Sequence, residues 1–242
     1  MNKKRRSAIL MALCVIPAMA HAGSTIEVGQ FSAASEGAVI PPGWKPLTFQ
    51  KISKQTQYQV VRDGDTLVVQ ARSEASASGL TKEVKIDPRE YPIMRWRWKV
   101  ENVLTHSDVR RKDGDDYPAR LYVTFEYEPD KVAFLKKLKY RAGRVLFGKI
   151  PIAALNYIWE TATPIGTIIE NAYTDFAQMI VVESGPANVG RWVDEERNVY
   201  EDYKRAFGEE PPMINGVAIM SDTDNTKERA TAYYGDIAFV KR

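Results

Sequence analysis

The run from Ile93 to Val100, IMRWRWKV, sorts itself by alternation. Met94, Trp96, Trp98 and Val100 fall on one side of a period-two strand, and Arg95, Arg97 and Lys99 fall on the other. The pattern predicts tryptophans in a core and cations facing out. Ala119 to Tyr127 alternates in the same way, with Leu121, Val123, Phe125 and Tyr127 inward and Arg120, Tyr122, Thr124 and Glu126 outward. Gln57 to Val61, Thr66 to Ala71, Leu80 to Ile86, Gln178 to Glu183, Gly216 to Ser221 and Ala230 to Val240 also read as strands. The first two flank Arg62-Asp63-Gly64-Asp65, where Asp-Gly signals a tight hairpin.

A helical period replaces the alternation twice. Val132, Leu135, Leu138, Ala142 and Val145 predict a helix over about Pro129 to Phe147. Asp194 as N-cap, Glu195 and Glu196 in the first turn and Gly208 after the last turn predict a second over about Asp194 to Phe207. Short strands without intervening regular helices indicate an antiparallel sandwich. The expected fold is therefore mainly β: an antiparallel β-sandwich, jelly-roll-like, with a helical insertion around 129–175 and a short helix around 194–207.

Charge and cysteine sharpen the setting. Lys3, Lys4, Arg5 and Arg6 precede an apolar run from Ser7 to Ala20, and Ala20-His21-Ala22 supplies a cleavage site. Residues 1–22 are expected to be a signal peptide removed on export to the periplasm, leaving 23–242 as a single β-sandwich domain. The whole chain carries 34 basic and 31 acidic residues, and the leader takes four bases and no acid. The mature chain is thus near neutral, and its bulk charge gives no case for a nucleic-acid partner. The one cysteine, Cys14, leaves with the leader, so stability must come from a hydrophobic core. His106 is then the last histidine, which excludes a multi-histidine zinc site. No nucleophile-elbow, zincin, Walker A or dinucleotide pattern occurs.

The tryptophan strand, KDGDDYPARLYVTF, RWVDEERNVYEDYKRAFGEEPP, GVAIMSDTDNT and AYYGDIAF together resemble an exported bacterial family called domain of unknown function 3047. The resemblance runs from about Phe31 to Val240 and brings no catalytic residues with it. More loosely, the tryptophan strand and the C-terminal strand look like galactose-binding-type jelly rolls.

Three groups of residues carry candidate chemistry. Were the tryptophan strand beside the Arg120 strand, Arg95, Arg97, Arg120, Tyr122 and Glu126 would share one surface suited to carboxylates, phosphates or sugar hydroxyls. The same residues would equally make a salt-bridge ladder. Asp222, Asp224 and Asn225 in SDTDNT are spaced as oxygen ligands for Ca²⁺, although Lys227 stands where an EF-hand needs glycine; a simple turn is the alternative. No other cofactor is expected. Asp115, Asp116 and Glu126 are candidate carboxylates for glycoside chemistry, which needs a pair across the sugar. The segment Lys131 to Lys149 holds seven bases and no acid, and the apolar Ile150 to Trp159 follows it. Lys131–Trp159 is thus a candidate peripheral membrane contact, unless the helix merely covers the sheet. The leading expectation is a non-catalytic cell-envelope module for a glycan or anionic polymer. A carboxylate enzyme on envelope polysaccharide and a protein-interaction or scaffold subunit are the alternatives.

Overall fold

Alternation builds the molecule. A computed structural model describes residues 24–126 and 153–242, which form two β-sheets packed face to face and one α-helix. The strands are β1 (Thr25–Gly29), β2 (Lys45–Leu47), β3 (Gln57–Asp63), β4 (Thr66–Glu74), β5 (Ala77–Ile86), β6 (Ile93–Val100), β7 (Arg120–Phe125), β8 (Ala153–Glu160), β9 (Ile168–Asn171), β10 (Thr174–Ser184), β11 (Val193–Asn198), β12 (Ile214–Asp222) and β13 (Arg229–Val240); the helix α1 is Val199–Phe207. The first sheet has the order β11-β6-β13-β4-β3, with β1 also on β13; the second has the order β2-β5-β12-β7-β8-β10-β9. Every pair is antiparallel except β8–β10, which is parallel. The leader, residues 1–22, and the basic part of the expected insertion, residues 127–152, lie outside the described residues.

The facing sides of the two sheets make the core. Trp96 and Trp98 of β6 and Phe239 of β13 meet Leu121, Tyr157 and Trp159 of the second sheet. Trp96 lies edge-on to Trp98, ring centres 5.5 Å apart at 89°, and 5.3 Å from the Tyr157 ring. Each large ring removes on the order of 150–250 Å² from water, roughly 4–6 kcal/mol of gross burial. The expected hairpin joins β3 to β4, with Asp63 opposite Thr66 and Gly64 at a φ of +61°.

Two expectations need correction. The second half of the 129–175 insertion is sheet: Ala153–Glu160 is a strand of the second sheet with all eight residues buried. A short apolar run has no periodicity to separate strand from helix. Trp159 is fully buried, so it cannot serve a membrane contact, and the rest of Lys131–Trp159 up to 152 is outside the described residues. The helix expected over 194–207 starts late. Residues Val193–Asn198 pair with β6, setting Asp194 opposite Arg97 and Glu196 opposite Arg95. Acids that looked like a helix start face the cations of the neighbouring strand instead. Asn198 is the N-cap: its side chain accepts the Glu201 N–H at 3.0 Å. Gly208, at a φ of +73°, closes the helix by donating to the Lys204 carbonyl.

Each sheet ends on a guarded strand. β2 is three residues long and contains Pro46; β9 is four residues long. β11 carries Asp194, Glu195, Glu196 and Arg197 in sequence. On β3, the loop residues Gly37 and Ala38 already take the outer backbone groups of Val60, at 2.8 and 2.7 Å.

Glu195 is the inward-facing acid of β11. Burial, with the nearby charge of Glu183, pushes its carboxyl up to about 8, against the Trp98 N–H it accepts at 3.2 Å. A carboxyl raised in the folded state contributes stability that is fully present below its unfolded value near 4.5 and is lost as pH rises through about 8. Urea denaturation is expected to show stability falling across that window by a few kcal/mol, up to about 5. Glu195→Gln should flatten the profile and gain stability at the alkaline end; an unchanged profile would refute the assignment.

Candidate functional site

The outer face of the second sheet is where Arg120 emerges. Leu121, Val123 and Phe125 point into the core, so Arg120, Tyr122 and Thr124 point away from it. Yet Arg120 is 2% exposed. The chain before β7 folds back over this face, and its Val109 and Tyr117 pack on Ile158, Met179 and Val181 in a second, smaller core. Arg120 grips Asp222 with two prongs, Nε to Oδ1 at 2.8 Å and Nη2 to Oδ2. It also donates to the Asp115 carbonyl and the Tyr122 hydroxyl, and lies over the Tyr117 ring at 4.3 Å. Burial raises the Asp222 carboxyl above its ordinary value against the pull of Arg120, and the charges of Asp116 and Asp115 add to the rise.

The sequence separates residues that this fold collects. Asp116, Asp222 and Asp224 each bring a carboxylate oxygen within 4.8 Å of the others'. Two of the three SDTDNT ligand candidates are therefore here. Asn225 is not: its amide donates to the Lys112 carbonyl at 2.5 Å and the Tyr173 hydroxyl at 2.9 Å. Asp116 was legible only as a candidate catalytic acid. Its place opposite SDTDNT depends on the Thr226 N–H, which it accepts at 2.6 Å across a gap of 110 residues.

The carboxylate-pair reading loses its partner. Asp115 is buried and held by Arg120 and by the Asn171 amide at 3.0 Å. Glu126 follows the opposite end of β7, six residues beyond Arg120 and so ~20 Å away. Glycoside cleavage needs carboxylates about 5–9.5 Å apart, so Glu126 cannot pair with Asp115 or Asp116.

The shared arginine surface is also divided. β6 belongs to the first sheet and β7 to the second, so Arg95 and Arg97 do not join Arg120, Tyr122 and Glu126. Arg95 is answered by Glu196 at 2.7 Å. Lys99 is answered by Asp63 at 2.7 Å and lies 4.3 Å from the centre of the Tyr233 ring. The Lys99 hydrogen bond, helped by that of the Trp192 indole, holds the Asp63 carboxyl below the ordinary carboxylate range. Arg97 differs. Its guanidinium sits 4.6 Å from the centre of the Trp192 ring and, among the described residues, makes no ion pair or hydrogen bond. Gly235 makes this pose fit: a Cβ there would fall 2.5 Å from Arg97 Cγ. Arg97, Lys99, Trp192 and the Asp63 turn line a depression of about 520 Å³. The same outer face continues through Tyr233 and Gln70, hydrogen-bonded at 2.9 Å, to Arg72, Gln57 and Gln59 beside a second hollow of about 390 Å³. Trp192 lies in RWVDEER, where a single tryptophan before a charged run carries no period to mark it as part of a site.

The family model described as "Protein of unknown function (DUF3047)" matches residues 42–238. The chain belongs to that family. No curated protein matches this DUF3047 member. Solved structures of similar form include the family 11 carbohydrate-binding module of a cellulosomal cellulase of Clostridium thermocellum, at 8% identity and a TM-score of 0.44, covering 91% of this chain and 96% of that one. A family 30 carbohydrate-binding module of the same organism gives 8% identity and 0.43, covering 90% and 98%. The CBM22-1 xylan-binding domain from Paenibacillus barcinonensis gives 11% identity and 0.37, covering 91% and 97%. At these identities the likeness carries no ligand over to the DUF3047 chain.

Proposed function

We propose that the chain is an exported, periplasmic binding module that holds a glycan bearing anionic groups on the outer face of its first sheet. The observation that carries this is Arg97: a guanidinium stacked on an indole, half-buried, with its donors unclaimed among the described residues. A planar fork against a ring suits a carboxylate or sulfate on a sugar, and the ring itself offers an apolar platform. The row of Lys99, Tyr233, Gln70 and Arg72 extends hydrogen-bonding groups across neighbouring strands, which suits a polymer. The basic n-region, apolar run and Ala20-His21-Ala22 support the periplasmic setting and the envelope as the source of the ligand.

The test is affinity electrophoresis against a panel of soluble acidic and neutral polysaccharides. An acidic member should be retarded, and Trp192→Ala and Arg97→Ala should each weaken binding by about 2 kcal/mol, roughly thirtyfold in Kd. Arg97 makes no ion pair or hydrogen bond among the described residues, so its variant should keep the melting temperature, whereas Trp192→Ala also loses the Asp63 hydrogen bond and should melt somewhat lower while staying folded at the assay temperature. Undiminished binding in both variants, or no retardation by any acidic member, would overturn the reading.

A further inference from the structure

We propose that Asp116, Asp222 and Asp224, with the Thr226 hydroxyl, form a calcium site that pins the loop before β7 to the end of β12. The three carboxylates converge within 4.8 Å. Convergence of acids alone would be a weak argument, since exposed acids often cluster. Here a second observation points to a ligand. Asp116 is 0% exposed, and its Oδ1 is buried without a hydrogen-bond partner. Its other oxygen is already spent on the Thr226 N–H. The Thr226 hydroxyl oxygen, on the residue whose N–H Asp116 accepts, is also buried and unpartnered. Two buried oxygens left unsatisfied, on two segments stitched to each other, are expensive unless something accepts their lone pairs.

Charge points the same way. Asp115, Asp116, Asp222 and Asp224 gather around a single guanidinium, Arg120, which is committed to Asp222 and Asp115. Lys227, the next cation along the loop, spends its ammonium on the Asp224 backbone carbonyl. Asp116 has no cationic side chain in ion-pair contact among the described residues. A divalent cation supplies the missing charge.

The donor set selects the metal. All the converging atoms are oxygens, which disfavours zinc. Three carboxylates and a hydroxyl on an irregular loop suit calcium, which accepts many oxygens in loose geometry. Magnesium demands a near-ideal octahedron, keeps several waters and takes one or two carboxylates. The Asn225 amide, turned to Lys112 and Tyr173, ties down the same loop without entering the ligand set.

The experiment uses the full chain stripped with chelator. Millimolar calcium should raise the melting temperature by about 5 °C or more, and magnesium should do much less. Terbium, a calcium stand-in, should give luminescence on tyrosine excitation, since Tyr117 adjoins Asp116, and calcium should displace it. Asp224→Asn, at a half-buried position, should lose both responses. In chelator it should melt no lower than the parent, because it removes a repelling charge. Asp116→Asn is the second variant and should behave alike. Overturning results are equally plain. They are no calcium shift together with no terbium signal, a response to magnesium alone, or calcium responses undiminished in both variants.

Discussion

Replacing Arg120 with methionine is expected to destabilise the fold by about 3–5 kcal/mol, the largest effect of any polar substitution here. The reason is what stays behind. With calcium removed by chelator, Asp222 would keep only the Tyr117 N–H at 3.2 Å, and Asp115 only the Asn171 amide, each with its charge still in a dry place. Methionine fills much of the volume but cannot answer a carboxylate. Asp222→Leu alone should also cost heavily, because it strands the guanidinium. The double variant should cost less than the sum of the two, since an apolar pair of similar volume escapes desolvation altogether. Urea denaturation of the four proteins closes the cycle. A loss below about 1 kcal/mol in Arg120→Met would mean that water reaches the pair past the preceding loop.

The second large effect belongs to Trp98. Its truncation to alanine is expected to cost about 3–5 kcal/mol, as for other large-to-small changes in a close-packed core. The indole touches Trp96 edge-on and faces Trp159 across the sheets at 6.2 Å, so no single neighbour can move in to fill the space. It also donates to Glu195. Trp98→Phe separates the two roles. It keeps a ring in place but removes the N–H, so the carboxyl at about 8 should titrate higher still. Side-chain NMR of Glu195 reads the midpoint directly; a midpoint that drops, or stays where it was, would show that the indole does not hold the charged form.

Much of this fold could be read from alternation. The faces of β6 and β7 follow it residue by residue, and the Asp-Gly turn is where it was expected. What failed was sidedness beyond one strand. Arg120 looked like a wet-face residue because a strand knows its two faces but not what later covers them. Residues 193–198 looked like a helix start because acids before an amphipathic stretch favour one; the cations of β6, about a hundred residues earlier, decided otherwise. The uniformly apolar β8 could not declare its period. For the candidate sites the lesson is similar. SDTDNT announced two of the clustered carboxylates, but the third, Asp116, arrives by a contact that spans 110 residues. The arginines of β6 were visible, whereas the tryptophan beneath Arg97 was not.

The guarded margins of the two sheets have a consequence for how this protein can meet others. A proline-bearing strand of three residues, a strand of four, a run of charges and a loop already bonded to Val60 guard four margins, and β1, paired only with β13, is a fifth edge of five residues. At those four margins an extended peptide finds little backbone on which to add itself as an extra strand. At those margins recognition falls to side chains and not to backbone pairing.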